Sequence, residues 1–486
     1  NCLRSVESPV CYRPSVALPP PLVSQFQRTA ILNVVGLTPR HIGPETPFIS
    51  EFLARDDISL GHVEPLIPAV TSTMQATYLT GKSPAGHGIV ANCWYDRDYA
   101  EHRNWKQSNH LVHARKLWEH LRETDPEYTV AKLFWWNNMY SSVDYSITPR
   151  PIYRVDGRKI FDIQTWPMDL RKKLKRKLGK FPFQAFWGPM AGIDSSHWIA
   201  RSAKWIEEQH SPNLNLVYLP HLDYPLQKTG PNDPFLSQEL GQIDAVVGDL
   251  IRFFESRGVQ PILLSEYGIT EVDHPIHLNR IFREKGWIVC RDEVGTDMID
   301  LGSCKAFAIP DHQVAHIYVN DPSILAEVRE TVAETEGVAE VIDGSMRNYR
   351  GLEHERAGDL VAVSNIRSWF TYYYWEKDRR APDYARTIDI HRKPGYDPCE
   401  MFFDPKIRSP KFKVARKMLR KMLGFRMTLD VIPLDASLVK GSHGCIPELN
   451  DNRPVLIGKF PNLRHGQSVD ALRVYQHLYD VCSQPE

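Results

Sequence analysis

Thr71, Ser72 and Thr73 form a run of three hydroxyls leading into a helix-like stretch, Met74 to Thr80. A hydroxyl at a helix start lies beside free backbone N–H groups and the positive end of the helix dipole, where phosphate is favoured. Such an oxygen can attack phosphorus and carry a covalent phospho-intermediate. The same residues also read as plain helix caps, a position Ser and Thr fill routinely. Asp311-His312 with His316, and Asp389-Ile390-His391, set carboxylates beside imidazoles. Histidines four apart chelate a metal on a helix. His316, however, leads into the strand-like Ile317-Tyr318-Val319, so these histidines read as core or hydrogen-bonded groups. His274 and His277 suit a supporting role around a ligand.

Positioning such groups needs a frame, and the apolar runs supply one. Ala30–Val35, Tyr128–Phe134, Leu214–Leu219 and Gln260–Leu264 have the form of short buried strands. Between Ser237 and Gly258, Leu240, Ile243, Val246, Val247, Leu250, Ile251 and Phe254 fall at helical spacing. Strands alternating with helices predict an α/β fold, a large, mostly parallel central sheet with helices on both faces, and sites at the carboxyl ends of its strands. The rhythm breaks between residues 305 and 430, which hold the aromatic run Trp369 to Trp375. The expected organisation is an extended Pro-rich arm over 1–28, a core over 29–304 and 431–486, and an inserted cap over 305–430. The aromatic run reads as cap packing, with stacking on a ligand ring as the other option.

Composition narrows the function classes. Lys plus Arg and Asp plus Glu each total 59, which gives no global charge for nucleic-acid binding. No apolar run nears the roughly 18 residues of a membrane span, so a soluble protein is expected. The eight cysteines include no CxxC pair; Cys2 and Cys11 either bridge the arm or remain thiols, leaving the compartment open. Because the chain begins at Asn1, a processed precursor, an organellar one among the options, is expected. Two segments, 171–180 and 406–421, are basic and acid-free. They read as solvated helix faces or as docking sites for an acidic protein, an anionic lipid surface or nucleic acid.

Four segments together resemble the type I phosphodiesterase/nucleotide pyrophosphatase family of the alkaline phosphatase superfamily, over about residues 29–300 and 430–480. They are PAVTSTMQATYLTGKSPAGHGIVAN (Pro68–Asn92), YLPHLDYPLQKTGP (Tyr218–Pro231), LSEYGIT (Leu264–Thr270) and KGSHG (Lys440–Gly444). The resemblance implies the alkaline phosphatase-like fold, Thr71 as nucleophile, Gln75 and Asn92 in substrate contact, and Asp223 and His443 as metal ligands. Glu266 stands for one metal-binding Asp, one methylene longer. Gln227 and Tyr267 replace metal-binding histidines, and Val35 replaces an Asp, with Asn33 the nearby polar residue in the strand. His221, two residues before Asp223, is the candidate to take over, since i and i+2 share a strand face. The expectation is at most one divalent metal, zinc or manganese, held by His221 or Asp223 with Glu266 and His443. Two functions follow. One is a metal-dependent phosphodiester or phosphoester hydrolase acting on a small phosphate ester. The other is a catalytically degenerate relative serving as a structural or accessory subunit, docked through its basic segments.

Overall fold

The computed structural model describes residues 26–425 and 428–485. Most of the N-terminal arm, with the Cys2–Cys11 pairing considered for it, lies outside these residues.

A nine-stranded sheet forms the centre. Its strands in chain order are β1 (Thr29–Val34), β2 (Ser59–Glu64), β3 (Val130–Leu133), β4 (Tyr145–Pro149), β5 (Ile163–Trp166), β6 (Leu214–Leu219), β7 (Gln260–Leu264), β8 (Val455–Gly458) and β9 (Gln467–Asp470). Across the sheet they run β9-β2-β8-β7-β1-β6-β3-β4-β5. β7, β1, β6, β3 and β4 are parallel neighbours, as β2 and β9 are. β8 is antiparallel to both its neighbours, and β5 is an antiparallel edge. Every residue of β1 and of β6 is buried. That is why these strands read as unbroken apolar runs: in a parallel sheet, helices cover both faces.

The helices that matter below are α1 (Thr71–Thr80), α2 (Ile193–His210), α3 (Asp223–Thr229) and α4 (Leu236–Glu255). α4 buries Leu240, Ile243, Val246, Val247, Leu250, Ile251 and Phe254, the stripe its sequence spacing demands. It packs on α2, whereas α1 packs on the C-terminal helix Ala471–Cys482.

A second layer sits over the carboxyl ends of the strands. Ala306–Asp311, Val314–Val319, Leu360–Ser364 and Val338–Ile342 form an antiparallel sheet in that order. Its apolar cluster also takes in residues from Cys93 to Tyr95 and from Val272 to Leu301. Trp369, Phe370, Tyr372, Tyr373, Tyr374 and Trp375 are all buried in it, so these rings serve packing. Lys393 is buried with two acids, Asp397 at 2.6 Å and Glu400 at 2.8 Å, and the Trp187 indole N–H donates to Glu400 at 2.6 Å. This network pins the loop carrying Tyr396 against residues of the central layer.

Gly441 permits a close backbone approach beside the site. A Cβ there would lie 2.0 Å from the Leu226 carbonyl oxygen of α3, and the neighbouring Lys440 N–H donates to Gln227 O at 3.0 Å. Gly441→Ala should therefore lower unfolding stability by about 2 kcal/mol through overpacking. Gly43→Ala, where nothing lies within 4 Å of an added Cβ, should leave it nearly unchanged. Denaturant unfolding of the two variants checks the contrast.

Candidate functional site

Thr71 begins α1 with Val70, not a hydroxyl residue, at the N-cap. The Thr71 hydroxyl is turned away from the capping role and lies 3.2 Å from the Tyr267 hydroxyl. The free helix N–H of Ser72 is satisfied from elsewhere, donating to Asn92 Oδ1 at 2.9 Å. Asn92 in turn donates its backbone N–H to Asp311 Oδ2 at 2.8 Å and its side-chain amide to Oδ1 at 3.2 Å. The His87-Gly88-Ile89 tail supports the same helix, since Thr77 meets His87 at 3.1 Å and Thr73 donates to Ile89 O at 3.1 Å.

The loops leaving β6 and β7 bring the other groups. Ser265, Glu266 and Tyr267 follow β7 directly; Asp223 opens α3 just beyond β6. Thr71, Asp223, Glu266, Tyr267 and His443 come together and are all buried, Asp223 being the most open at 8%. The Tyr267 hydroxyl donates to Asp223 Oδ1 at 3.1 Å and so accepts from Thr71. Its ring lies flat on the His443 imidazole, 3.5 Å between centroids and 4° between planes. Gln75 donates to Glu266 Oε1 at 2.6 Å and accepts from the Trp136 backbone N–H at 2.7 Å. Asn33 donates to the same Oε1 at 2.5 Å. Gln75 and Asn92, expected to meet substrate, thus engage protein partners.

His221 does not share a strand face with Asp223. β6 ends at Leu219 and Pro220 follows, so His221 sits on the turn into α3, with Nε2 2.9 Å from Glu239 Oε2 of α4. Two residues not assigned to the site from sequence belong to its wall. His312, at a positive φ of 61° on the turn between two strands of the second layer, packs on His443 at 3.7 Å and on Tyr396 at 3.8 Å. The Tyr396 hydroxyl donates to Gln227 Oε1 at 2.9 Å. The Asp311-His312 pair was the available signal, but only the fold carries it over the strand ends.

Among the described residues the site brings together two acids, Asp223 and Glu266, two imidazoles, His312 and His443, and the Tyr267 phenol, and no Lys or Arg pairs with either acid. Burial, partly offset by hydrogen bonds from Gln75 and Asn33, lifts the Glu266 acid to about 8. Burial likewise lifts Asp223 to about 6, against hydrogen bonds from Gln227 and Tyr267. It drops His443 to about 3 and His312 well below the usual range, so both imidazoles are neutral. Tyr267 keeps its proton, pushed well up by burial and then by Asp223 and Glu266.

These donors decide how a divalent metal would fit. At the position of Glu266 and Tyr267, two amide N–H groups occupy Glu266 Oε1, Oε2 is buried without a partner among the described residues, and a protonated phenol bridges Thr71 to Asp223. One free oxygen of a carboxyl that burial keeps protonated, beside a neutral phenol, does not fit a metal. At the other position, His443 donates its Nδ1–H to Ala69 O at 2.8 Å, which leaves Nε2 as a bare lone pair, buried and without a partner among the described residues. This is how a metal-binding imidazole is oriented. Yet among the described residues no three His, Cys, Asp or Glu side chains converge as a ligand cluster around it. The residues present do not fit a two-metal centre.

The fold and the surviving site positions define an alkaline phosphatase-like protein. The chain belongs to the type I phosphodiesterase/nucleotide pyrophosphatase family, whose profile matches residues 29–397. Membership supports a phosphodiester hydrolase-like function. It is similar to ectonucleotide pyrophosphatase/phosphodiesterase 2 of Saccharomyces cerevisiae, 23% identical over 74% of this chain and 68% of the yeast protein. It is also similar to an uncharacterized pyrophosphatase/phosphodiesterase of Schizosaccharomyces pombe, 23% identical over 48% of this chain; that match spans only 45% of the yeast protein's length. Among solved structures, phosphonoacetate hydrolase from Sinorhizobium meliloti superposes with a TM-score of 0.60 at 13% identity, covering 95% of this chain and 97% of that one. An inactive murine ectonucleotide pyrophosphatase/phosphodiesterase 5, in complex with AMP, superposes with 0.55 at 13% identity, covering 95% and 96%. At these identities the structural likeness shows the fold alone. Among the described residues no helix is long and apolar enough to cross a membrane.

The carboxyl at Glu266 makes a pH prediction. Its ordinary value is 4.5 and its folded value about 8, so the folded chain holds this proton more tightly. Its contribution to stability is full below pH 4.5 and is lost as pH rises through about 8. Glu266→Gln, which keeps an uncharged group there, should melt progressively higher relative to the unaltered chain as pH rises across that window. A melting difference that stays flat would contradict a proton on Glu266.

Proposed function

We propose that this chain is a catalytically degenerate member of its family, retaining the phosphodiesterase frame and the Thr71 position while serving as an accessory protein and not as a two-metal hydrolase. The observation that carries this is the Tyr267 phenol, hydrogen-bonded at once to Thr71 and to Asp223, where metal-bound chemistry needs a cation. Phosphoryl transfer depends on positive charge to neutralise the transferring group. Around Thr71 a phosphate would meet two acids and two neutral imidazoles. The hydrogen-bonded series Thr71–Tyr267–Asp223 can lead a proton from the Thr71 hydroxyl to the Asp223 carboxylate, but it offers nothing to the phosphate oxygens.

A second reading, a phosphoester hydrolase assisted by one zinc or manganese ion, is favoured by the bare Nε2 of His443 beside Asp223. Such an ion would supply the missing positive charge, and a nucleoside monophosphate, the ligand of the murine relative, is the type of molecule it would serve.

Assay with an aryl phosphodiester and an aryl phosphomonoester, each with added zinc or manganese, separates the two. The degenerate reading expects turnover no faster than that of the Thr71→Ala variant under every condition. Metal-dependent turnover that Thr71→Ala removes would overturn it in favour of the one-metal enzyme. Thr71→Ala should lower unfolding stability by only about 1 kcal/mol, the worth of its one hydrogen bond to Tyr267, since Thr71 does not cap its helix.

A further inference from the structure

The two basic segments, alike in sequence, are built in opposite ways. In the helix Leu170–Leu178 the apolar residues Leu170 and Leu174 face inward and are buried, and Lys175 and Arg171 meet Asp162. Its remaining cations form an ordinary solvated face.

The helix Pro410–Met422 is turned inside out. Its inward side carries Val414, packed on the second apolar cluster, with Lys413 and Lys417, both paired to Asp430. Its outward side carries Phe412, Leu419 and Met422, spaced i, i+7 and i+10 on one stripe. Leu423 and Phe425 continue past its end. Phe412 is 71% exposed and Met422 82%. A stripe of large apolar side chains facing water marks a docking surface, because soluble helices direct that face to a core.

Charge selects the occupant. Arg416 and Arg420 flank the stripe, and Lys406 and Arg408 precede it on the exposed approach. Between Asp404 and Asp430 the chain has no acid. A second copy of this face would set arginines against arginines, so self-association is disfavoured. A nucleic acid would satisfy the cations but not the apolar stripe.

We infer that the Pro410–Phe425 segment docks this protein on an anionic lipid surface, the stripe entering the headgroup boundary while Arg416 and Arg420 meet lipid phosphates and carboxylates. A basic amphipathic helix lying in the interface plane binds in this way.

The test is co-sedimentation of the full chain with vesicles of phosphatidylcholine alone or of phosphatidylcholine with phosphatidylserine, at low and high salt. Two variants accompany it: Phe412→Ser/Leu419→Ser/Met422→Ser and Arg416→Glu/Arg420→Glu. Both alter exposed side chains only, and their melting should match the unaltered chain. The expected result is pelleting with the serine-lipid vesicles that weakens at high salt and falls about tenfold or more in either variant. Failure to pellet with anionic vesicles would overturn the inference. So would equal pelleting of the variants, or a dimer that the variants dissolve without any vesicle binding.

Discussion

A single phenol organises the centre of this molecule. Tyr267 follows β7 and places its hydroxyl between Thr71 at the start of α1 and Asp223 at the start of α3. Its ring closes against His443, which arrives from the C-terminal part of the chain. Three segments far apart in sequence are thereby fastened at one point by hydrogen bonds and stacking. Because a phenol is neutral, the carboxylates beside it gain no compensating charge. Burial then drives Glu266 and Asp223 toward their protonated forms, and the neighbouring imidazoles toward neutrality. The site is held together by the hydrogen bonds of Tyr267, Asn33 and Gln75 and by the Tyr267–His443 stack.

The surroundings are consistent with that exchange. Asn33 and Gln75 aim amide N–H groups at the Glu266 oxygen. Gln227, in the position of a histidine, receives the Tyr396 hydroxyl. Tyr396 is itself placed by a loop tied down through buried Lys393 and its two acids. Breaking such a buried charge network leaves an unpaired charge in low dielectric, at a cost of several kcal/mol. The second layer is therefore part of the site's wall as well as a cover, with His312 packed between Tyr396 and His443.

Much of the frame was legible in the residues. The runs ending at Val35, Leu219 and Leu264 are strands because they are apolar on both faces, and the α4 stripe fixed that helix to within a few residues. The motifs at strand ends marked which loops to join. The antiparallel slot of β8 between β7 and β2 was not legible, since an apolar run carries no sign of its direction. His221 was misplaced because strand alternation was extended across Pro220, where the strand has ended. His312 and Tyr396 escaped assignment because only tertiary packing sets residues of the 305–430 region over the sheet. The two basic helices looked equivalent until burial showed which face each turns outward. Tyr267 read from sequence as a lost ligand, and its contact with Thr71, 196 positions away, was invisible there.

Crystals grown with zinc and measured on both sides of the zinc absorption edge test the role given to Tyr267 most directly. The account predicts no anomalous peak between Thr71, Glu266 and Tyr267, with the phenol oxygen within hydrogen-bond distance of both Thr71 Oγ1 and an Asp223 carboxylate oxygen. Two zinc peaks in this pocket, with the phenol swung away from Thr71, would contradict it.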